Sequence, residues 1–566
     1  MNESPSYKTE ERIYELLPHE PEHMAATLFI IGMSIYYLWR MVAITPQYDE
    51  LYTYYTFISR GPAYAAIHWP LPNNHVGYSV LSAFLDHTGN SYIGLRGVSL
   101  VCAISNIILI YRICKRYFSH FLSFGAMLLY SAMQIVVEYS VQGRGYTLAT
   151  NCFLLAIYIA GYICNVDETE VIYYRFLALS FVLGLYTVPS SIYWVIPISF
   201  AIGLYLLINA ARSKSVHEKF SDSVYFRKFV LFFYHGVMAA ILTTMLYGII
   251  WLAIGSNLLV KTAGSVYFGL SHGAVLVRDP IACVLTGMKY MLDQPYIQSL
   301  PADEFNAQCL DWAMSLFNYM LPGMSWCIVA ALVLGFAVAM YESVAHFAYS
   351  RTVLNLIVIC NLLITAMMLV MQHKLPYLRV FSYEAFIVTL CICICLQRMI
   401  NMAIRSYNIR GARAKGNRDV KPEHKETENV IRGQKWYMSW GAYVPVTLIL
   451  LLFILRASSY DFSMQLGTRE NSLFNTLYIA HVESRSNMAA LDCDQQYLLK
   501  FGWDIDCVKT DVSDADCVIL DRNMLTPNYS GPEFWKFYQT YESIDWDYID
   551  KMRCVYENED FILYTK

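Results

Sequence analysis

A series of long apolar runs constrains the fold of this chain more than any other feature of its sequence. Most runs are about 18–24 residues long, and a helix of that length crosses the roughly 30 Å hydrocarbon core of a bilayer. Only 15% of the residues are charged, compared with about 25% in soluble domains. We therefore predict a polytopic α-helical membrane protein with eleven transmembrane helices, at residues 24–44, 95–113, 119–137, 146–164, 176–189, 192–211, 229–254, 326–345, 352–371, 380–397 and 437–456.

The distribution of Lys and Arg predicts how the chain is oriented in the membrane, because cytoplasmic loops carry an excess of these residues. Basic residues are concentrated at Lys115–Arg116, in 212–228 and above all in 398–436. With these segments and residues 1–23 on the cytoplasmic side, the loops 45–94 and 255–325 are external. The linker 398–436 has no apolar period, and an odd number of spans puts the carboxyl terminus outside.

Residues 457–566 differ in character from the membrane part (24–456), because they are polar and acidic. We predict that they form a small extracytoplasmic α/β domain. Its four cysteines, Cys493, Cys507, Cys517 and Cys554, could form disulfides or remain buried thiols, and spacing does not choose between these alternatives. The helix-like stretches are 487–500 and 532–541, and the strand-like stretches are 516–520, 553–556 and 561–564.

Composition gives no support to nucleic-acid binding or to a zinc site. The net charge is only −4, and no basic face with aromatic platforms stands out. No pair of cysteines has zinc-ligand spacing. The expected partners are therefore membrane lipids and whatever binds at the external loops.

The first external loop contains two adjacent carboxylates, Asp49 and Glu50, a few residues beyond the first span. Carboxylates so close to hydrocarbon need a cation or a hydrogen-bond donor to stay ionised. Spacing alone fits a solvated acidic pair better than a catalytic base, since acidic loop residues are common.

Other polar side chains reach the same outer level from separate spans. Charged groups at a membrane rim usually face a cavity or a partner, although each one alone could reach the headgroups. Together with the carboxylates they predict a polar cavity at the outer interface. They are Arg96, Glu138, Gln142, Arg144, His373, Lys374 and Arg379.

An ordered set of short motifs accompanies these polar groups. The motifs are Tyr48-Asp49-Glu50, Asn73-Asn74-His75, and the segments 95–100, 111–118, 139–148, 184–187 and 375–380. In this order they resemble the glycosyltransferase C (GT-C) superfamily, specifically the bacterial relatives of protein O-mannosyltransferases and of the aminoarabinose transferase that modifies lipid A. The resemblance is densest over residues 24–210. Gln142 departs from it, since relatives are expected to have Glu there, and His75 stands near a Lys of the aminoarabinose transferase.

The resemblance implies a GT-C fold and transfer of a sugar from a polyprenyl-phosphate donor. A phosphate leaving group needs no general acid, whereas a glycosidase needs two carboxylates. Asp49 is then the expected base in an inverting reaction, and Glu50 supports it or orients a sugar hydroxyl. The groups expected to hold the phosphate are His75, Arg144, Lys374 and Arg379. Those expected to bind the rest of the substrate are Tyr48, Trp69, Asn74, Arg96, Gln142 and Tyr146.

No cofactor is predicted from ligand spacing. A divalent cation held by Asp49, Glu50 and either His68 or His75 stays open as an alternative. The loop 255–325 is long enough to suggest helices that lie along the membrane surface and cover the cavity, with a mobile part that gates the acceptor.

Two other functions compete with this interpretation. A lipid or glycan flippase also has many spans, but such transporters often have inverted repeats and sites at the bilayer midplane, and the charges here lie at the outer rim. A ligase or polymerase of lipid-linked glycans differs only in the size of its donor. The acceptor could be a glycan, a lipid or a protein. The resemblance favours a bacterial plasma membrane, with the endoplasmic reticulum as the alternative.

Overall fold

The computed structural model describes most of the chain. The described residues are 21–69, 73–166, 169–213, 220–293, 297–347, 350–414, 440–459, 468–482, 488–490, 493–505, 512, 515–522 and 545–566. The helix expected at 532–541, Cys507, and the larger part of both the amino terminus and the linker 398–436 lie outside these residues.

A helix stands at each of the eleven predicted membrane crossings. In chain order the helices up to residue 457 are α1 (Pro21–Ala43), α2 (Tyr48–Thr56), α3 (Pro62–Ile67), α4 (Val76–Asp86), α5 (Ser91–Tyr117), α6 (His120–Ala132), α7 (Gln134–Tyr139), α8 (Tyr146–Asn165), α9 (Val171–Thr187), α10 (Ile192–Ser213), α11 (Val224–Lys261), α12 (His272–Arg278), α13 (Pro280–Asp293), α14 (Ala302–Met320), α15 (Ser325–Ala345), α16 (Thr352–Gln372), α17 (Glu384–Ala414) and α18 (Trp440–Ala457).

Eight of these helices are long and apolar enough to cross a membrane, and α6, α9 and α18 are shorter apolar helices at predicted crossings. The crossing predicted at 119–137 is interrupted, because Met133 is extended and separates α6 from α7. The helices pack on one another along the bundle: α5 on α8, α8 on α9, α10 on α16, and α15 on α17. The predicted polytopic helical fold is confirmed.

Helix α11 is longer than the span 229–254 that hydropathy predicted. Its 38 residues correspond to about 57 Å, so the helix continues past a hydrocarbon core of about 30 Å. The backbone of α13 packs closely against the backbone of the carboxyl-terminal turns of α11. A Cβ on Gly255 would lie 1.8 Å from the carbonyl oxygen of Cys283, and one on Gly287 would lie 2.1 Å from that of Trp251. The external connection therefore begins after residue 261 rather than at 255.

The carboxyl-terminal part is a small α/β unit, as predicted. Its elements are α19 (Thr468–Val482), β1 (Met488–Ala490), α20 (Cys493–Trp503), β2 (Cys517–Asp521), α21 (Trp546–Ile549), β3 (Arg553–Glu557) and β4 (Phe561–Thr565). The strand order is β1-β2-β4-β3, with β1 parallel to β2 and the other two pairs antiparallel.

One expectation for this unit is corrected. The stretch 487–500 is not one helix, because its first residues pair with β2 as β1 and the helix begins only at Cys493. Of the two alternatives left open for the cysteines, Cys517 and Cys554 are free thiols, the first buried and the second exposed.

A buried ion pair fixes the start of α2 against the bundle. The Glu50 carboxylate accepts hydrogen bonds from Nε and Nη2 of Arg96, at 2.8 and 2.7 Å, and from the backbone N–H groups of Gln47 and Gly143, at 3.0 and 2.6 Å. Each side chain of the pair is only 1% exposed. Four donors on one carboxylate compensate for the loss of water around a buried charge.

Arg96 also ends α1. Its Nη1 donates to the carbonyl oxygens of Met41 and Ile44, at 2.9 and 2.6 Å, which are acceptors that the last turn of a helix leaves unpaired. These contacts engage both groups with each other and with backbone, which argues against direct contact of Glu50 or Arg96 with a sugar. Support of Asp49 by Glu50 stays a prediction.

We expect Glu50→Gln to lower the free energy of unfolding by about 3–5 kcal/mol, because the guanidinium of Arg96 then stays buried without a counter-charge. Unfolding in detergent followed by tryptophan fluorescence measures this change. Glu304→Gln, on the exposed first turn of α14, is the control. The double variant Glu50→Leu with Arg96→Met should regain part of the loss. A Glu50→Gln protein of unchanged stability would contradict the structural role.

Candidate active site

Asp49 lies in the first turn of α2, and its carboxylate is paired with a residue from a distant part of the chain. Nη1 of Arg379 forms an ion pair with Oδ2 of Asp49 at 3.2 Å. Arg379 belongs to the short 3-10 turn Leu378–Phe381 that precedes α17. The Asp49 side chain is 28% exposed, and its Oδ1 has no hydrogen bond among the described residues. One oxygen is thus held in place and the other is accessible.

Arg144 brings a second guanidinium to the same place. It is buried, and its Nη1 donates to Oγ1 of Thr53 at 2.8 Å and to the backbone oxygen of Asp49 at 3.4 Å. Its Nη2 donates to Oδ1 of Asn73. The Nε–H group is buried and has no partner within the described part of the chain, so the contacts of this guanidinium are made by its two terminal nitrogens.

His75 is a neutral donor in this surrounding rather than a cation. Its Nδ1 accepts the backbone N–H of Gly145 at 2.8 Å, so the ring proton resides on Nε2. Burial lowers the pKa of His75 well below its ordinary value of 6.5, and the positive charges of Arg144 and Arg379 lower it further. The role of His75 in holding a phosphate stays a prediction, with the ring as a neutral donor.

A cavity of about 370 Å³ adjoins the Asp49–Arg379 pair. Its polar end carries Asn73, Asn74, His75, Arg144 and Lys374. Ser190 and Gln372 add two further polar groups, and the remaining wall is apolar and aromatic, from Trp69, Tyr146, Val188, Pro189, Ile192, Tyr193, Tyr290, Met291, Ile297, Pro376, Tyr377 and Val380. The Arg379 guanidinium lies over the rings of Tyr146 and Tyr377, at 5.8 and 4.9 Å from their centroids, so the pair stands at the edge of this cavity.

The connection between α11 and α15 forms part of the cavity wall. Tyr290 and Met291 of α13 line the cavity directly. The same connection is joined to the loop that carries Lys374, because Leu300 N–H donates to the carbonyl of His373 at 2.8 Å and Trp312 Nε1–H to that of Pro376 at 2.7 Å. His373 has a φ of 47°, a left-handed conformation that costs energy in a non-glycine residue. The loop is thus held in a defined shape against this connection.

Sequence reasoning selected most, but not all, of the residues that meet here. Asp49, His75, Arg144 and Arg379 converge, and further expected residues, Trp69, Tyr146 and Lys374, line the cavity. Two partners were missed, Thr53 and Asn73, which orient Arg144. The position of Asn73, directly before the Asn74-His75 motif, was the available signal.

Three expected substrate-binding residues have structural contacts instead. Asn74 donates to the carbonyls of Ala65 and His68 and accepts from Ser79. Nε2 of Gln142 donates to Gln47 at 2.8 Å, and the ring of Tyr48 packs against Tyr52 and Tyr497. These contacts hold the loops around the cavity, and Asn74 alone of the three lines it.

No group of three or more His, Cys, Asp or Glu side chains lies close enough to share a metal ion in the described ranges. His68, considered above as a ligand, packs against the rings of Phe57 and Tyr64.

Comparison with known proteins supports the resemblance. The model of the dolichyl-phosphate-mannose-protein mannosyltransferase family matches residues 76–237, which is less than a third of the chain and begins after Asp49. The resemblance to relatives of protein O-mannosyltransferases is confirmed there. No curated protein matches the chain.

Solved structures of low similarity include three of the oligosaccharyltransferase from Archaeoglobus fulgidus. One is AglB in complex with an inhibitory peptide and a dolichol-phosphate (10% identity, TM-score 0.40, 88% of this chain and 70% of that one). The second is a complex with Zn and sulfate (10% identity, TM-score 0.38, 83% of this chain and 61% of that one). The third is a form tethered to an acceptor peptide (11% identity, TM-score 0.35, 80% of this chain and 57% of that one). Similarity this low carries no argument about activity.

The environment of His75 predicts how stability depends on pH. In the native state His75 stays neutral at pH values at which this histidine already binds a proton in the unfolded chain. The unfolded state therefore binds more protons, and a lower pH favours unfolding. We expect the free energy of unfolding to fall as the pH drops below the ordinary histidine value of 6.5, and His75→Gln to reduce that fall. Unfolding curves above and below this pH measure it. His87→Gln, on an exposed ring, should leave the dependence unchanged, and an equal pH dependence in His75→Gln and wild type would contradict the assignment.

Proposed function

We propose that this chain is a membrane glycosyltransferase that transfers a sugar from a polyprenyl-phosphate donor to an acceptor hydroxyl, with inversion and with Asp49 as the general base. The observation that carries the proposal is the Asp49–Arg379 pair at the edge of a cavity with a cationic end and an apolar wall. The proposed side is the extracytoplasmic face, and the proposed location is a bacterial plasma membrane.

The cavity suits an isoprenoid phosphate in both of its parts. Arg144 and Lys374 provide positive charge at the polar end, and the neutral His75 can donate through Nε2–H. The apolar wall around Val188, Ile192 and Val380 offers a surface to the first isoprene units. Most ligand sites combine a largely apolar wall with a few placed polar groups in this way.

The reaction balances with one base and no general acid from the protein. Oδ1 of Asp49 accepts the proton of the acceptor hydroxyl while the hydroxyl oxygen bonds to the anomeric carbon. The bond from that carbon to the phosphate oxygen breaks on the opposite face, and its electron pair remains on the phosphate. Arg144, Arg379 and Lys374 stabilise the charge that accumulates there, which is where preorganised donors contribute most to rate. In this arrangement Arg379 contacts both the Asp49 carboxylate and the departing phosphate, so it determines the distance between them.

No observation favours a flippase over this reaction, because the polar groups of the described chain that meet here lie at one end of the bundle. A ligase of larger lipid-linked glycans would use the same groups, and it differs in the size of the glycan that its donor carries.

Asp49→Asn should lower the transfer rate by about a hundredfold to ten-thousandfold, the range that a general base supplies, with donor binding retained. Release of polyprenyl phosphate measures the rate, and binding of a labelled donor to the purified protein measures the affinity. Asp303→Asn, on exposed α14, is the matched control. Transfer at the wild-type rate by Asp49→Asn would eliminate Asp49 as the base.

Arg379→Ala should weaken use of the donor more than use of the acceptor. Loss of one charge-assisted contact to phosphate corresponds to about tenfold to hundredfold in donor affinity, and the acceptor KM should change little. Arg278→Ala removes an exposed arginine from α12 and should have no effect. Equal donor affinity in Arg379→Ala and wild type would show that this residue serves only to orient Asp49.

A further inference from the structure

A second and larger cavity lies between α2 and α20. Its volume is about 1020 Å³, and α20 of the carboxyl-terminal unit forms one wall while α2 and the residues after it form another. Sites for drug-sized ligands are about 300–1,000 Å³, so this α2–α20 cavity has room for more than one sugar ring. None of its lining residues is among the predicted site residues.

We infer that the α2–α20 cavity binds an oligosaccharide segment of the acceptor, which makes the acceptor a glycan chain. The inference rests on the proposed function and adds the substrate class. It is carried by an aromatic platform, a balanced polar rim and the position of both relative to Asp49.

The platform consists of tyrosine rings from both walls. The rings of Tyr55 and Tyr497 are stacked, with centroids 5.4 Å apart and planes 20° apart, and both line the cavity and are half-buried. The Lys500 ammonium lies 5.8 Å from the Tyr55 centroid. Because the two rings cover each other's inner faces, the pair offers its ring edges and hydroxyl groups to the C–H groups and hydroxyls of a pyranose, at low entropic cost.

The rim of the cavity carries charges of both signs. Arg60 and Lys500 are basic, and Asp86 and Asp504 are acidic. Such a rim can donate to and accept from hydroxyl groups around a ring. It offers no excess of either sign to attract a strongly charged polymer, so it suits a neutral, polyhydroxylated chain better than a basic or acidic peptide.

Helix α2 connects the α2–α20 cavity to the proposed base. Asp49 and Thr53 contact Arg379 and Arg144 at the donor cavity, while Tyr54 and Tyr55 line the α2–α20 cavity. Tyr55 lies six positions after Asp49, which is about 9 Å along a helix axis. An oligosaccharide seated on the tyrosines is therefore long enough to extend a terminal hydroxyl toward Asp49.

The test uses the full-length protein in lipid nanodiscs with defined probes. Neutral linear oligosaccharides of increasing length and a Ser/Thr-rich peptide are offered as acceptors, with synthetic polyprenyl-phosphate hexoses as donors. Binding of each acceptor probe is followed by saturation-transfer NMR, and turnover by release of polyprenyl phosphate. The variants are Tyr497→Ala and, as a milder change, Lys500→Gln. Tyr478→Ala, which removes an exposed tyrosine from α19 of the same unit, is the control.

We expect Tyr497→Ala to raise the acceptor KM for longer oligosaccharides by about tenfold or more, as is usual for a central tyrosine contact. A monosaccharide glycoside, the donor KM and the slow transfer of sugar to water should be unaffected. Oligosaccharide binding that is equal in wild type and both variants would overturn the inference. Binding of the peptide without any binding of the oligosaccharides would overturn it as well. If the wild-type protein released no polyprenyl phosphate from any donor, the proposed function would fail, while oligosaccharide binding would still test the cavity.

Discussion

The arrangement of the candidate site depends on a carboxylate that does no chemistry. Glu50 is buried and accepts four hydrogen bonds, two of them from Arg96. These contacts connect the end of α1, the start of α2, helix α5 and the turn before α8. Because the start of α2 is fixed, Asp49 in the same turn must project toward Arg379. A buried ion pair of this kind contributes little net stability compared with apolar packing, so its value lies in defining one arrangement of the helices.

Two adjacent acids therefore have opposite environments. Glu50 is surrounded by donors and excluded from solvent, whereas Asp49 keeps one oxygen accessible beside two guanidinium groups. The histidine in the same surrounding is kept neutral by burial and by those positive charges. A site with concentrated positive charge, one accessible carboxylate and a neutral N–H donor is prepared for an anion that gains charge during a reaction.

Hydropathy was sufficient to locate the membrane helices, since the cost of exposing polar groups to lipid makes each crossing visible in the sequence. It did not predict that α11 continues beyond the bilayer, because outside the hydrocarbon a helix no longer needs to be apolar. The short strand β1 was missed because it exists through pairing with β2, which is distant in sequence. Among the site residues, Asp49, Arg144 and Arg379 were identified from charge at a common depth. The burial of Glu50 beside the partly exposed Asp49 was not predicted, because neighbours in sequence can face different surroundings.

The length of α11 affects the cavity of about 370 Å³, because α13, which packs on α11, forms part of its wall. The helix is embedded in lipid along one part and carries α13 on another through backbone contacts at Gly255 and Gly287 that leave no space for adjustment. Helices of excess hydrophobic length respond to bilayer thickness by tilting. In a rod of about 57 Å, a tilt of about 5° displaces the far end by about 5 Å. Tyr290 and Met291 line the cavity from α13, so a displacement of α11 would be transmitted to that wall of the cavity.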